Sequence, residues 1–339
     1  MDLNTIWFVL VGVLLAGYMV LDGFDLGTGP LLLCAENDTE RRILLNAIGP
    51  VWNGNEVWLV TAAGALFAAF PDVFATIAAG FYDLFMIWLA ALVFRAVAIE
   101  LRSRRPGKLW RGGWDLAFAI SSLASAFLLG VTIGNIAWGV PLDASRSFHG
   151  GLLTALHPYP IVVGLTTILL FTMHANVYLV LKTTGRLQQK LMAWTKLTVP
   201  AYLLCFVVTN SFTLLACPHV AAAVSVHPWR SAVLLGLSLL IAFQIPHALR
   251  RGWPGWAFLA SSATIVLHLA LAGATAYPVL LFSTPNHEFD MTIWNSAATP
   301  ATLRFMLAVA VIGLPLVLSY TVTVYTIFRR KVVLDEESY

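Results

Sequence analysis

The sequence predicts an all-α integral membrane protein with about nine transmembrane helices. Three observations support this prediction: the composition, the number of long apolar runs, and the distribution of Lys and Arg between them. Of the 339 residues, 59% are hydrophobic and only 11% are charged, and the mean hydropathy is +0.81, whereas a soluble domain carries about 25% charged residues. The composition therefore excludes a soluble protein, and the net charge of +3 is too small to indicate a nucleic-acid partner.

Nine apolar runs are long enough to cross a bilayer, which takes about 20 mostly apolar residues. The second run is the least apolar, because its start is polar. No soluble domain, long linker or low-complexity tract separates the runs, so the sequence predicts a single polytopic domain over residues 1–339. The predicted spans are 7–33, 50–70, 73–101, 114–138, 157–181, 197–217, 231–249, 255–282 and 302–328.

The positive charges alternate between the segments that join these spans. If the N-terminus lies outside, 16 of the 20 Lys and Arg fall in cytoplasmic segments, three fall in outer segments, and Arg95 lies within a span. Cytoplasmic segments of membrane proteins carry an excess of Lys and Arg. The sequence thus predicts an outer N-terminus and a cytoplasmic tail over residues 329–339. The alternation also supports nine spans, because losing one early span would disrupt it.

Seven polar residues gather in the inner half of the first three spans. The stretch DGFDLGTG lies near the inner end of the first span, and GPVWNGNEVW opens the second. A charge in hydrocarbon costs about 2.5–3.5 kcal/mol on insertion scales, so several at one depth indicate mutual pairing, a wet cavity or both. The seven residues are Asp22, Asp25, Asn53, Asn55, Glu56, Arg95 and Glu100.

Two interpretations of these residues stay open. Asp22 and Asp25 share a helix face because they are three residues apart, and Arg95 is the obvious counter-ion, which describes a buried ion-pair network that only fixes helix packing. The other interpretation is a proton-conducting or ion-binding cavity open to the cytoplasm, because carboxylates inside membranes commonly act as proton relays. In that case GPVWNGNEVW forms the inner mouth, where Glu56 supplies a protonatable group and the amides order water.

Other candidate residues carry weaker signals. Trp52 and Trp58 are candidates for contact with a quinone ring or a subunit interface, although Trp is common at membrane interfaces in general. His174 and His268 lie inside spans as candidate haem ligands or as satisfied core residues, and no CxxCH motif accompanies them. Asp83, about ten residues into the predicted third span, faces either a neighbouring helix or the outer cavity.

Four strings of residues carry a resemblance to a known family. They are DGFDLGTG, NDTERRILLNAIGPVWNGNEVWLVTAAGALFAAFP and LVFRAVAIELR within the first 115 residues, and MTIWNSAATPATL in a later outer segment. The strings are long and specific, and they resemble subunit II of the cytochrome bd quinol oxidase family. The remainder of the chain fits that family in its number of spans.

The resemblance implies a fold of two four-helix bundles, approximately 1–140 and 150–285, plus a peripheral helix at 300–328. It also implies a haem-free subunit of a bacterial cytoplasmic membrane oxidase. The implied partner is a homologous subunit I that binds low-spin haem b, high-spin haem b and haem d. In the family, quinol is oxidised at the outer side and O2 is reduced to water with protons from the cytoplasm. Some members carry a structural quinone in subunit II, and a small single-span accessory subunit is a further expected partner.

The resemblance also assigns roles to individual residues. Asp22 and Asp25 match the two aspartates of the family's first span, and Arg95 matches the arginine that ends its third span. Such acidic residues are thought to help form a cytoplasmic water and proton channel to subunit I. Asn53 stands where the family usually has Asp, which puts a fixed proton route through that position in doubt. Glu56, three residues on, is the candidate replacement.

Two other function classes remain as alternatives. A free-standing proton-coupled transporter would also bury carboxylates, but such proteins build their sites from both halves of the chain. Here the polar residues lie only in spans one to three, which favours the oxidase subunit. The second alternative is a subunit that itself binds haem through His174 or His268.

Overall fold

The computed structural model describes residues 2–334 and is predominantly helical within them. Eight of its helices are long and apolar enough to cross a membrane, and a bent helix pair forms a ninth crossing if it is taken as one span. The predicted all-α membrane fold is therefore confirmed. The helices are α1 (Leu3–Leu33), α2 (Asp38–Ile48), α3 (Trp52–Ala69), α4 (Pro71–Gly80), α5 (Tyr82–Arg102), α6 (Lys108–Trp138), α7 (Leu152–Ala155), α8 (Pro158–Lys182), α9 (Gly185–Ala216), α10 (Pro218–Val226), α11 (Pro228–Arg250), α12 (Pro254–Ala276) and α13 (Pro300–Ile327).

The crossing helices alternate in direction, so the molecule has two ends. The hairpin end carries the start of α1, the helices α4 and α10, and an antiparallel hairpin of β1 (Val279–Leu281) and β2 (Met291–Thr292). The opposite end, called the α2 end, carries α2 and residues 328–334. Residues 335–339 of the predicted cytoplasmic tail lie outside the described residues. Backbone hydrogen bonds tie the loops of the hairpin end together: the Ala298 N–H donates to the Ala69 carbonyl at 2.9 Å, and the Val140 N–H donates to the Phe282 carbonyl at 2.9 Å.

Helices α1 and α8 form the centre of the molecule. Helix α1 packs against α3, α6 and α8, whereas α8 packs against α6, α9 and α12. Helix α5 lies on α6, and α11 lies on α12. Helix α13 lies at the periphery, where it contacts α3 and α1. The first three predicted spans therefore correspond to helices that meet around α1 and α6.

Glycines allow the central helices to approach closely. A Cβ on Gly27 of α1 would overlap the backbone carbonyl of Phe171 in α8, and a Cβ on Gly130 of α6 would lie 2.7 Å from the Cα of Gly164 in α8. Small residues matter at such contacts because helix association within a bilayer depends on van der Waals packing. These glycines hold α1, α6 and α8 together, and that core supports α3 and α5.

The predicted start of the third span is wrong. The apolar stretch 73–101 contains two helices, because α4 is bent by 119° from α3 and α5 begins only at Tyr82. Phe70 breaks the chain at φ −135° and ψ 64°, and Pro71 opens α4, where its missing N–H costs no helical hydrogen bond. Asp83 consequently lies in the first turn of α5 and is exposed, not ten residues inside a span.

Three further predicted boundaries are wrong. The sixth span, 197–217, belongs to a helix that begins at Gly185, and the fourth, 114–138, belongs to a helix that begins at Lys108, because hydropathy detects the apolar part of a helix and misses polar turns beyond it. The eighth span, 255–282, ends at Ala276, and its last apolar residues form β1 instead. The remaining five spans correspond to helices whose ends lie within about four residues of the predicted places.

Candidate functional site: a buried polar cluster

Arg95 lies at the centre of a buried ionic group. Its side chain is 0% exposed, and its guanidinium donates to Asp22 Oδ1 at 2.7 Å and to Glu56 Oε1 at 2.6 Å. The three residues come from α5, α1 and α3 respectively, so the ion pairs join three helices. Hydrogen bonds between ionised groups are about twice as strong as neutral ones, and removing one partner of a buried pair leaves an uncompensated charge.

Asn55 joins a second carboxylate and a distant helix to this group. Its Nδ2 donates to Asp25 Oδ2 at 2.8 Å and to the Leu21 carbonyl at 3.1 Å. Its Oδ1 accepts a hydrogen bond from the Tyr325 hydroxyl at 2.9 Å. The amide is therefore fully oriented, with nitrogen toward α1 and oxygen toward α13. We call Asp22, Asp25, Asn55, Glu56 and Arg95 the polar cluster.

The polar cluster contains buried atoms that lack a partner. Among residues 2–334, no hydrogen bond reaches the Tyr18 hydroxyl, Asp22 Oδ2, Asp25 Oδ1 or Arg95 Nε. Buried polar atoms in folded proteins nearly always have a partner, and ordered water supplies it where side chains do not. These atoms therefore mark positions for water inside the bundle. The cluster also contains three carboxyl groups and one guanidinium, so its net charge is negative when all four groups are ionised. A proton bound there brings that net charge closer to zero.

Glu56 is the exposed edge of the polar cluster. Its side chain is 25% exposed, whereas the side chains of Asp22 and Arg95 are 0% exposed. Asp25 and Asn55 are also buried, at 1% and 2%. The Glu56 carboxyl group is therefore the part of the polar cluster that is accessible from outside this chain.

Two of the seven predicted residues lie outside the cluster. Asn53 is exposed, because it lies on a different side of α3 from Asn55, two residues away on a helix with 3.6 residues per turn. Glu100 is exposed as well, beyond Arg95 toward the α2 end. The helical periodicity of GPVWNGNEVW was a signal that separates Asn55 and Asn53 from sequence alone.

The two tryptophans of this segment are buried beside the cluster. Trp52 is 5% exposed and Trp58 is 6% exposed. The Trp58 ring packs against Gly17 of α1, where a Cβ would collide with it. Trp58 also lines an apolar groove of about 420 Å³ between α1, α3 and α13. Further lining residues are Trp7, Leu14, Thr61, Phe305 and Gly313.

A second ionic network, absent from the sequence predictions, lies near the α2 end. Arg102 donates to Asp115 Oδ1 at 2.5 Å and to Asp38 Oδ1 at 2.8 Å, and Arg111 donates to Asp38 Oδ2 at 2.7 Å. Burial acts to raise the pKa of Asp38, but the hydrogen bond from Arg102 and the charges of Arg102 and Arg111 outweigh it, so this pKa lies below its ordinary value. We call these four residues the α2-end network.

The candidate haem ligands His174 and His268 are hydrogen-bonded at both ring nitrogens. His174 Nε2 bonds the Val20 carbonyl at 2.9 Å, and its Nδ1 bonds the Ser261 hydroxyl at 2.7 Å. His268 bonds the Thr264 carbonyl at 2.6 Å and the Tyr202 hydroxyl at 2.9 Å. Both nitrogens of each ring therefore have a partner within the chain, as expected for satisfied core residues. Within residues 2–334, no group of three or more His, Cys, Asp or Glu side chains is placed to hold a metal ion.

Only some of these partners were predictable from the sequence. Tyr18 lies four residues before Asp22, and that spacing on a helix was a usable signal. Tyr325 lies 270 residues from Asn55, and Asp115 lies on a fourth helix. No local pattern indicates which distant helix will meet α3 or α5, so these residues were missed.

The family model for cytochrome bd terminal oxidase subunit II matches residues 3–328 of the chain. The chain belongs to this family. Among similar proteins is the cytochrome bd ubiquinol oxidase subunit 2 of Bacillus subtilis strain 168, which is 33% identical over 98% of this chain and 97% of its own length. The cytochrome bd-I ubiquinol oxidase subunit 2 of Escherichia coli K12 is 32% identical over 95% of this chain and 93% of its own length. The family predicted from the four sequence strings is therefore confirmed.

The fold is similar to that of a solved member of the same class. A chain in the structure of the bd oxidase from Geobacillus thermodenitrificans superposes with a TM-score of 0.80, covering 97% of this chain and 99% of that one at 18% identity. At that identity the likeness concerns the fold alone. Membership in a cytochrome bd subunit II family supports the oxidase-subunit interpretation and not the transporter alternative.

Proposed function

We propose that the chain is the haem-free subunit II of a quinol:O2 oxidoreductase, and that its polar cluster conducts protons from the cytoplasm. Its partner is the homologous subunit I, which holds low-spin haem b, high-spin haem b and haem d. The observation that supports the proton role is the combination of a buried acidic group, unpartnered buried atoms and one carboxyl group at the surface of the chain.

The polar cluster has the chemistry of a proton relay. Glu56, as its exposed edge, takes up a proton from cytoplasmic water. Arg95 holds the Glu56 and Asp22 carboxylates in place without carrying protons itself, because its guanidinium stays charged. Waters at Asp22 Oδ2 and Asp25 Oδ1 extend the route into the bundle. Asn55 cannot carry a proton, but it orients Asp25 by a fixed hydrogen bond.

The orientation that this function needs is the one predicted from the Lys and Arg distribution. With the N-terminus outside and the C-terminal tail in the cytoplasm, the α2 end faces the cytoplasm. Glu56 lies in the first two turns of α3, which starts at that end. The hairpin end then faces outward, and the cluster opens toward the proton-supplying side of a bacterial cytoplasmic membrane.

Subunit I is proposed to cover the sides of α3 and α5 that point away from this chain's other helices. Exposed apolar side chains line both helices there, including Val57 and Val60 on α3 and Met86 and Val93 on α5. Asn53 and Glu100 are exposed on the same two helices toward the α2 end. A proton route from the polar cluster to subunit I requires contact between that subunit and α3 or α5, and this apolar face provides the surface for it.

A structural quinone is proposed for the apolar groove beside Trp58. The groove has the volume and apolar walls of a small-molecule site, and Trp58 supplies a flat aromatic surface. Its position between α1, α3 and α13 opens toward lipid, from which a long-tailed quinone enters. Replacing Gly313 with Leu fills the groove, and we expect less quinone to co-purify with the complex while its haem content is unchanged.

The proton role is tested by Glu56→Gln and Glu56→Asp in the complete two-subunit complex. Proton transfer by a positioned side chain contributes about 10²–10⁴-fold to a rate, so we expect Glu56→Gln to slow O2 reduction and proton uptake at least about tenfold. Glu56→Asp should retain much of both rates, because it keeps a carboxyl group. Glu288→Gln, on the hairpin end, is the matched control and should have no effect.

The haem spectrum of each purified variant shows whether the complex has assembled. Normal spectra with normal turnover in both Glu56 variants would contradict the proton role while leaving the subunit assignment intact. A complex without haem in Glu56→Gln would instead indicate that the carboxylate serves packing, as the ion-pair interpretation requires.

A further inference from the structure

Helix α13 is attached to the rest of the chain mainly near its two ends. Leu303, close to its start, is the only residue of α13 that is buried within the described chain, and its carbonyl accepts a hydrogen bond from Trp7 Nε1 at 3.1 Å. Along the middle of α13, the apolar groove of about 420 Å³ lies between this helix and α1 and α3. At the α2 end, the Tyr325 hydroxyl reaches Asn55 of the polar cluster. The position of Tyr325 therefore depends on what holds this end of α13.

Lys182, the last residue of α8, caps the end of α13. The residue is only 7% exposed, and its ammonium group donates to the carbonyl of Phe328, the residue that follows α13. Among residues 2–334, no carboxylate forms an ion pair with Lys182. A buried ammonium group is costly unless it is hydrogen-bonded, and the last carbonyls of a helix lack helical partners and carry partial negative charge. The two groups therefore satisfy each other across the two helices.

The segment after α13 returns the same interaction to α8. Lys331 Nζ donates to the Val180 carbonyl at 3.3 Å, and the Val332 N–H donates to the Lys182 carbonyl at 2.9 Å. Both acceptors belong to the last turn of α8, so each of the two helix ends is capped by a lysine from the other. The Val332 side chain packs against the hydrophobic core. We call Lys182, Phe328, Lys331 and Val332 the lysine clasp.

The lysine clasp lies next to Tyr325 along α13. Phe328 is three residues after Tyr325, which corresponds to about 4.5 Å along a helix axis. The Tyr325 hydroxyl donates to Asn55 Oδ1 at 2.9 Å, and a shift of about 1 Å would take this pair out of hydrogen-bonding range. Asn55 Nδ2 in turn donates to Asp25. The clasp therefore determines whether Tyr325 can orient the amide that holds Asp25.

We propose that Lys182 is a positioning residue for the polar cluster: it holds the end of α13 so that Tyr325 stays bonded to Asn55. This role rests on the proposed proton function, because only then does the orientation of Asp25 affect turnover. Lys182 itself carries no proton, and it lies outside the route from Glu56 into the bundle. A residue of α8 thus takes part, through α13, in the geometry of a site formed by α1, α3 and α5.

The test compares Lys182→Met with Lys182→Arg in the complete two-subunit complex. Methionine keeps a long buried side chain without a donor, whereas arginine keeps a donor for the end of α13. We expect Lys182→Met to slow turnover and proton uptake about two- to tenfold, the factor that corresponds to one typical hydrogen bond. Lys182→Arg should restore most of both rates. Lys196→Met, which replaces an exposed lysine of α9, is the matched control and should turn over normally.

A double variant tests whether Lys182 acts through Tyr325. Lys182→Met/Tyr325→Phe should be no slower than the slower of the two single variants, because both changes break the same contact and residues that share a contact are not additive. A double variant markedly slower than both would overturn the positioning role, since the two residues would then act independently.

Hydrogen exchange measured by mass spectrometry follows the end of α13 independently of activity. We expect faster exchange of the backbone amides at 324–332 in Lys182→Met, because local opening of a segment governs its exchange, and parent-like exchange there in Lys196→Met. Lys331→Met breaks the clasp from the other side and should have a smaller effect in the same direction. It replaces Lys182→Met in the comparison if that variant does not assemble.

Haem spectra show that each variant is assembled. Normal turnover in Lys182→Met, or slow turnover with unchanged exchange at 324–332, would overturn the positioning role. Glu56→Gln in the same assay separates this result from the proton role itself. Normal turnover in Glu56→Gln would refute the proton role, whereas slow turnover in Glu56→Gln with normal turnover in Lys182→Met would refute the positioning role alone.

Discussion

Two sets of buried polar residues, on the two sides of the α1–α8 contact, differ in how their atoms are paired. In the polar cluster of α1, α3 and α5, the groups are charged, and several of their atoms have no partner within the described residues. His174 of α8 and His268 of α12, on the other side, are each hydrogen-bonded at both ring nitrogens. A satisfied neutral group stabilises packing and needs no water, whereas an unsatisfied charged group requires water.

Under the proposed function, this difference separates a polar site that only stabilises packing from one that conducts protons. Both types of site are buried and both join distant helices. Only the polar cluster combines ionised groups, unpartnered oxygens and an opening at Glu56. Substitutions in the polar cluster should therefore affect both the stability of the complex and its proton-dependent turnover, whereas substitutions of His174 and His268 should affect stability alone.

The largest effect is expected for Arg95→Gln. This change leaves Asp22 and Glu56 without their counter-ion, and breaking a buried ion pair costs about 3–5 kcal/mol. We expect a large loss of assembled, haem-containing complex, measured by haem per complex and by thermal unfolding in detergent. The triple variant with Asp22→Asn and Glu56→Gln should recover much of the stability, because it removes the charges together, yet it should stay defective in proton uptake.

A wild-type level of assembly in Arg95→Gln would show that the carboxyl groups are compensated by something other than this guanidinium. A triple variant no more stable than Arg95→Gln alone would show that shape, rather than charge, is what Arg95 provides.

A smaller effect is expected for His174→Phe on the other side. The change removes the hydrogen bonds of the imidazole to the Ser261 hydroxyl and the Val20 carbonyl, and each typical hydrogen bond contributes about 0.5–1.5 kcal/mol. Thermal stability should fall, while the haem spectrum and turnover of the assembled complex should be unchanged. His268→Phe is the parallel variant, because it breaks the bond to Tyr202 in the same way. Loss of one haem from either variant would restore the haem-ligand alternative.

A still smaller effect is expected for Tyr325→Phe at the edge of the polar cluster. The variant keeps the ring and removes only the hydroxyl that donates to Asn55, and a typical hydrogen bond contributes about 0.5–1.5 kcal/mol. We expect slightly lower stability together with slower turnover, since Asn55 loses the contact that orients it toward Asp25. Tyr320→Phe, on the same helix but exposed, is the control. Reduced stability with normal turnover would assign Tyr325 to packing alone.

The fold was largely predictable because apolar length and the alternation of Lys and Arg are properties of single segments. Five of the nine spans correspond to helices whose ends lie within about four residues of the predicted places. Two of the failures occur where apolar residues lie outside a straight membrane-spanning helix. Helix α4 is apolar but is bent by 119° from α3, and residues 279–281 are apolar but form a strand. Hydropathy measures how strongly a residue prefers an apolar environment, and it contains no information on the direction that the chain takes.

The candidate site was predictable in its acidic residues but not in its partners. Asp22, Asp25 and Arg95 are conspicuous because charges are rare within spans. Which partners they meet depends on how far each helix is rotated about its own axis, and a single sequence determines that rotation poorly. This explains why Tyr325, which donates to Asn55, was not expected. Asn53 was wrongly expected in the cluster, although the helical periodicity of α3 places it on a different side from Asn55. The α2-end network was missed because its residues were interpreted only as cytoplasmic charges.

The smallest effect is expected for Asp38→Asn in the α2-end network. The pKa of Asp38 is lowered by Arg102 and Arg111 against the opposing effect of burial, so its stabilising contribution is fully present above its unfolded-state pKa, about 3.9. That contribution is lost as the pH falls through the lower folded-state pKa. The parent complex should therefore be more stable than Asp38→Asn at neutral pH, and the difference should vanish in acid.

Thermal unfolding measured between about pH 3 and pH 7 tests this expectation. The Asp38 side chain is 40% exposed, so added salt should reduce the difference between the two proteins by screening. The same salt should leave the Arg95→Gln defect nearly unchanged, because that ion pair is fully buried and poorly screened. A salt response of equal size in both variants would remove the distinction between a solvated ionic network and a buried polar cluster.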